Sequence, residues 1–226
     1  IRSFAVTPER GKLNDNPTRR GVHGLRGDRQ GPGRSYEPAR LRSSLRLVLD
    51  WLYGAYALLL LGAIGSLTWI ACALLRRTGW CWTLSHRASR VFLALARLPL
   101  TVRGLEHLPS GRPCIFVVNH QSYLDGPVIV SALRESNRFI AKRELLDHWV
   151  PRIYLNSIGT AFVERVDVQR GVEDTTRFTD MARGGQSLIV FAEGTFRRMP
   201  GLLPFRMGAF VIAAQAGVPV VPATLR

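Results

Sequence analysis

The sequence predicts an α/β fold: a central sheet flanked by helices, preceded by N-terminal membrane-associated helices. Three observations carry that expectation. From Leu100 onward, short apolar runs rich in β-branched and aromatic residues alternate with helical stretches, as strand–helix repeats do. Upstream, Trp51 to Leu75 contains no charged residue, a longer apolar run than most soluble cores hold. Finally, 46% hydrophobic and 21% charged residues exclude a chain that is disordered throughout, collagenous or many-spanning.

Residues 1–40 are rich in Gly, Pro, Arg, Asn and Asp and lack an apolar period. They bury too little surface to offset ordering entropy, so they are expected to form a disordered basic arm. Nucleic-acid binding is the alternative for this arm, but Phe4 and Tyr36 are its only aromatics and make no stacking platform. Residues 45–78 are expected to be a hydrophobic membrane helix. Trp51–Leu75 alone reaches about 37 Å against a hydrocarbon core of ~30 Å. Trp51, Tyr53 and Tyr56 near one end, and Trp69, Trp80 and Trp82 near the other, suit two interfaces. Arginines flank both ends, so charge leaves the direction open, and a helix bent at Gly62 and Gly65 that lies in the membrane plane stays open as well. Trp80–Leu98 alternates apolar positions with Arg87, Arg90 and Arg97, an amphipathic helix fit for an interface or for packing on a domain.

The expected strands are Pro113–Asn119, Asn137–Ala141, Thr160–Arg165, Gln186–Ala192 and Val218–Ala223. Helices are expected near Pro127–Arg134, Arg143–Asn156, Val172–Arg183 and Phe205–Ala216, the last stopped by Gly217. Residues 79–226 then form one domain. The chain starts at Ile1 and stops at Arg226 just after an apolar run, so the domain is expected to be truncated at its C-terminus.

Thirty-one basic against 16 acidic residues give a net charge of +15, which favours an anionic partner. Three cysteines without a CxxC spacing argue against a disulfide framework or a zinc site, and for a reducing compartment.

The stretch NHQSYLD, Asn119–Asp125, follows an apolar strand and precedes Gly126-Pro127, a helix start. His120 and Asp125 are five apart, on opposite faces of a strand and roughly 140° apart on a helix, so only a turn brings them together. A carboxylate at a helix N-terminus stays ionised and can hold one imidazole nitrogen while the other takes a proton. The two residues serve equally well as simple strand and helix caps. No Gly-x-Ser-x-Gly elbow supplies a nucleophile, and Ser122 is too near His120 in sequence to partner it. A base without a nucleophile fits direct attack by a substrate hydroxyl on an activated acyl carbonyl. A second stretch, FAEGTFRR (Phe191–Arg198), runs from a strand into a turn with two arginines, groups that suit a phosphate.

Together these stretches resemble the glycerolipid acyltransferase family that includes the 1-acylglycerol-3-phosphate O-acyltransferases. NHQSYLD matches its Asn-His-x-x-x-x-Asp block; GTAFVER (Gly159–Arg165), FAEGTFRR and VPVVPA (Val218–Ala223) resemble its later blocks, in the same order and spacing. The resemblance covers about residues 84–226. Two departures stand out: Ala192 where the family has proline, and Phe196 where it has a phosphate-binding arginine, with Arg197 and Arg198 displaced by one and two positions.

The resemblance implies an acyltransferase-type sheet domain over 79–226. It implies acyl transfer from acyl-CoA or acyl-ACP to a lysophospholipid, 1-acylglycerol 3-phosphate foremost, giving phosphatidic acid. His120 would be the general base and Asp125 its orienting partner. Glu193, Gly194 and Thr195 would line the acceptor site, and Arg165 and Arg197 would bind phosphate. No metal or cofactor is implied beyond the acyl co-substrate. The implied partners are a membrane lipid acceptor, the acyl donor and a membrane surface, without nucleic acid. A donor made in the cytosol puts the catalytic domain on the cytoplasmic side. Two alternatives stand beside this reading: a lipid hydrolase or transacylase acting on another headgroup, and a non-enzymatic basic adaptor for membrane or nucleic acid.

Overall fold

The computed structural model describes residues 2–6, 37–75, 78–164, 168–195 and 203–226. In chain order the elements are β1 (Arg2–Val6), α1 (Glu37–Leu75), α2 (Thr78–Leu95), β2 (Leu100–Arg103), β3 (Ile115–Val118), α3 (Asp125–Ala132), β4 (Arg138–Lys142), α4 (Trp149–Ser157), β5 (Ala161–Val163), α5 (Val168–Arg183), β6 (Leu188–Phe191), α6 (Gly208–Ala216) and β7 (Val220–Leu225). The chain divides into two compact units, residues 1–8 with 59–226, and residues 9–58. The sheet, its cores and both cavities described below belong to the first. In the second, residues 37–58 are helical, and Leu47, Trp51, Leu52 and Leu58 are exposed.

The strand order is β2-β1-β7-β3-β6-β4-β5. The five strands from β7 to β5 are mutually parallel, in register Ile115↔Leu188, Ile115↔Val220, Arg138↔Leu188 and Ile140↔Ala161. This is the α/β architecture the alternation implied. Parallel strands need crossover helices, which cover both faces and leave the central strand no exposed side. Every residue of β3 is accordingly buried. Because successive side chains point to opposite faces, Phe116 and Val118 pack with Trp82 and Phe92 of α2 and Val128 and Ile129 of α3. Ile115 and Val117 pack with Phe178 and Ala182 of α5 and Ala209 and Ile212 of α6. Each large side chain so buried contributes about 1.5–3 kcal/mol.

The segment Leu45–Leu75 of α1 is long and apolar enough to cross a membrane. Its last turns are also docked. Ile64, Thr68 and Cys72, four apart, share the inner face. The Cys72 and Cys81 thiols each donate to the other's carbonyl, at 3.9 and 3.8 Å, joining α1 to α2. Trp69 Nε1 donates to the Val150 carbonyl at 2.8 Å, and its ring meets Trp149 edge-on, 5.5 Å between centroids.

Several elements differ from expectation. Residues 2–6, within the segment expected to be a disordered arm, form β1, parallel to β2 and antiparallel to β7. Pairing on both edges satisfies their backbone groups, a gain that composition does not register. The hydrophobic helix starts at Glu37 rather than residue 45 and ends at Leu75. Arg143–Asn156, expected as one helix, is a 3-10 turn over Arg143–Asp147 followed by α4. Pro151 is the reason: without an N–H it cannot bond the Asp147 carbonyl, so the helix restarts with the proline in its first turn. Gly217 ends α6 as expected, at φ 69°, with the Val218 N–H returning to the Ala213 carbonyl at 3.1 Å.

Candidate active site

The parallel strands β3, β6 and β4 end on one side of the sheet, where α/β folds gather their reactive loops. Between β3 and α3 the chain makes the turn that the His120–Asp125 spacing requires. Asp125 is the first residue of α3 and fully buried. Its Oδ2 accepts from His120 Nδ1 at 2.9 Å, from the Gln121 N–H at 2.6 Å and from the Ser122 N–H at 2.8 Å. Its Oδ1 accepts from the Ser122 hydroxyl at 3.0 Å, and that hydroxyl in turn accepts from the Leu124 N–H at 3.1 Å. Ser122 is thus a strut of the turn.

Burial alone would push the Asp125 carboxyl up. The hydrogen bonds from His120, from the Ser122 and Gln121 amides and from the Ser122 hydroxyl outweigh it and hold the group below its ordinary value. An ionised carboxylate only accepts, so Nδ1 carries the proton and Nε2 is the nitrogen that accepts one. The imidazole is stacked on Phe191, with centroids 4.1 Å apart and planes at 21°. Phe191 stacks in turn with Phe139, and Phe139 lies 6.0 Å from Trp82. The ring therefore sits against an aromatic column running into the core, with a fifth of its side chain exposed.

The β6 turn is stitched to this loop. Glu193 is buried; its Oε1 accepts from the His120 N–H and its Oε2 from the Leu203 N–H, each at 2.9 Å. Expected to line an acceptor site, Glu193 instead spends both oxygens on backbone amides, holding the base from behind. Asn119 spans the ends of β3 and β7: its amide donates to the Leu225 carbonyl at 3.1 Å and accepts from the Leu225 N–H at 2.7 Å. Ala192, in place of the proline that the resemblance leads one to expect, donates its N–H to the Val118 carbonyl at 3.1 Å, a bond proline cannot make.

His120 opens onto a cavity of about 1550 Å³, whose wall includes Tyr123, Phe191, Gly194, Thr195 and Arg206. Gly194 and Thr195 thus line the same cavity as His120. Arg165 and Arg197, like Phe196 and Arg198, lie outside the described residues. A second, mainly apolar cavity of about 680 Å³ lies between α1, α2 and the start of α4. The two share Ser89, Pro127, Pro151 and Tyr154, and the Tyr154 hydroxyl is held by Ser85 at 2.9 Å. Among the described residues no group of three or more His, Cys, Asp or Glu side chains is placed to hold a metal. Sequence reasoning passed over Arg206 and Tyr154. Arg206 did leave a signal, being the only charged residue between Arg198 and Arg226.

A family model described as Acyltransferase matches residues 99–226. The chloroplastic 1-acyl-sn-glycerol-3-phosphate acyltransferase BAT2 of Brassica napus is 40% identical over 144 residues, 62% of this chain and 42% of that protein. The human 1-acyl-sn-glycerol-3-phosphate acyltransferase beta is 37% identical over 137 residues, 59% of this chain and 48% of that protein. The chain thus spans less than half the length of these two relatives. Among solved structures, the 1-acyl-sn-glycerophosphate acyltransferase PlsC of Thermotoga maritima shares the fold, with a TM-score of 0.56 and 22% identity over 81% of this chain and 85% of that one.

Proposed function

This chain belongs to the Acyltransferase family, and from that premise we propose that it transfers a fatty acyl group from an acyl-CoA or acyl-ACP thioester to 1-acylglycerol 3-phosphate, giving phosphatidic acid. The names of its relatives, both 1-acyl-sn-glycerol-3-phosphate acyltransferases, support this acceptor. The observation that carries the reaction type is the His120–Asp125 pair at the wall of a large, partly apolar cavity.

In the reaction His120 Nε2 removes the proton of the acceptor hydroxyl. The alkoxide oxygen attacks the thioester carbonyl; the new C–O bond forms, the C–S bond breaks, and the thiolate leaves with the proton carried by the imidazolium. Asp125 offsets the imidazolium charge and fixes the ring, and Glu193 fixes the backbone beneath it. Holding base, hydroxyl and carbonyl in one cavity is the proximity part of the acceleration. Gly194 and Thr195 border the acceptor, and Arg165 and Arg197 are candidate contacts for its phosphate.

The apolar segment of α1 keeps the domain at a bilayer, where acceptor and product reside, and the domain faces the cytoplasm, where the thioester is made. The test is a donor–acceptor matrix with membranes carrying the expressed chain, read by mass spectrometry. Phosphatidic acid formed from labelled thioester and lysophosphatidate supports the assignment. Release of free fatty acid, or use of a phospholipid as donor, replaces it with a hydrolase or a transacylase.

A further inference from the structure

We propose that Arg206 is an acceptor-phosphate ligand of this chain, sharing the part that the resemblance gives to an arginine at the position of Phe196. The inference rests on the acceptor reading above and deepens it. Three features on two loops converge. The Arg206 N–H donates to the Ala192 carbonyl at 2.8 Å, which fixes the Arg206 backbone against the turn that follows β6. From there its side chain passes directly over Gly194: a Cβ at that residue would lie 2.8 Å from Arg206 Nε and 3.1 Å from Cδ. Gly194, at φ +70°, thus leaves the room through which the guanidinium reaches the cavity. Arg206 and His120 then line the same cavity, with Thr195 beside them.

Among the described residues no carboxylate pairs with the Arg206 guanidinium. The nearest acidic group in sequence on the β6 turn, Glu193, is committed to the His120 and Leu203 amides. Glu144 and Glu164 line the same cavity, but among the described residues neither forms an ion pair with Arg206, and a guanidinium so placed is a fork that fits two oxygens of a phosphate. An acceptor that carries its phosphate one carbon from the reacting hydroxyl needs such a group close to the base, and Arg206 is in the same cavity as His120. At the position where the resemblance leads one to expect that arginine stands Phe196, with Arg197 and Arg198 displaced from it by one and two positions.

The experiment compares lysophosphatidate with 1-monoacylglycerol of the same chain length as acceptors in detergent micelles, for wild type, Arg206→Ala and Arg206→Lys. Arg206→Ala is expected to raise the KM for lysophosphatidate roughly ten- to a hundredfold, the loss of a charge-assisted bond, with the donor KM within about twofold. The preference for the phosphate-bearing acceptor should collapse, and Arg206→Lys should restore part of it. An unchanged KM for lysophosphatidate overturns the proposal. So does an equal rise in both KM values, the mark of a residue that only props up the turn. A wild type that does not discriminate the two acceptors removes the lysophosphatidate reading together with this one, whereas discrimination that survives Arg206→Ala removes Arg206 alone. If no transfer is seen, calorimetric titration with lysophosphatidate micelles reads the site without turnover: heat lost in Arg206→Ala supports the proposal, and heat retained overturns it.

Discussion

Asp125 is a fully buried carboxylate that accepts four hydrogen bonds from three consecutive residues, His120, Gln121 and Ser122. Its carboxyl titrates below the ordinary value near 3.8, so the stability it contributes is present above that value and lost as pH falls through the lower, folded one. Asp125→Asn should remove this part of the acid dependence of the melting temperature, and should lower turnover because a neutral amide does not offset an imidazolium. His120→Ala should reduce acyl transfer by roughly 10²–10⁴-fold while the protein still folds. Turnover close to wild type would take His120 out of the mechanism. Ala192 gives a third test: Ala192→Pro deletes the N–H that bonds Val118 and should cost about 1–3 kcal/mol in denaturant unfolding, even though proline is the residue the family resemblance favours. How these residues come together was legible in part. The five-residue spacing of His120 and Asp125 pointed to a turn, but nothing local in the sequence says that Glu193, seventy-three residues on, closes on the His120 amide. That contact depends on β6 lying beside β3, which is a property of the sheet.

At the scale of elements, α1 has two different faces. Thr68 and Cys72 are buried against α2, whereas Leu67 and Leu74 are 69% and 80% exposed. Removing the helix to test membrane attachment would therefore also remove core residues, and a deletion reaching back to residue 2 would take β1 with it. Substituting the outer face is the cleaner test. Leu67→Lys with Leu74→Lys should shift the chain from vesicle-bound to free in flotation, since a charge deep in a bilayer costs about 2.5–3.5 kcal/mol per residue on insertion scales. Binding unchanged by both would move the attachment elsewhere. The apolar length of this helix was plain from composition. Its start at Glu37 was not, because Glu37–Leu45 carries charge at a spacing that suits a helix but no apolar stripe. The same limit applies to β2, Leu100–Arg103, and to β1: four or five residues with two or three apolar positions become strands only because neighbours offer them backbone partners.

For the molecule as a whole, strand–helix alternation was enough to read an α/β sheet flanked by helices, and the parallel run of five strands follows from the crossover helices. It did not order the strands, because order is set by which faces the helices cover and not by any one segment. The base hangs from β3, the fourth strand of seven, paired on both edges and covered on both faces. In hydrogen–deuterium exchange, amides in such a position open only with the whole domain, whereas an edge strand exchanges by local fraying. Uptake at Ile115–Val118 should therefore be the slowest in the chain, and uptake at Leu100–Arg103 on the edge should be faster by orders of magnitude. A chemically dead His120→Ala that keeps the slow class intact has lost a proton acceptor; one that speeds it has lost the lattice on which that acceptor was mounted.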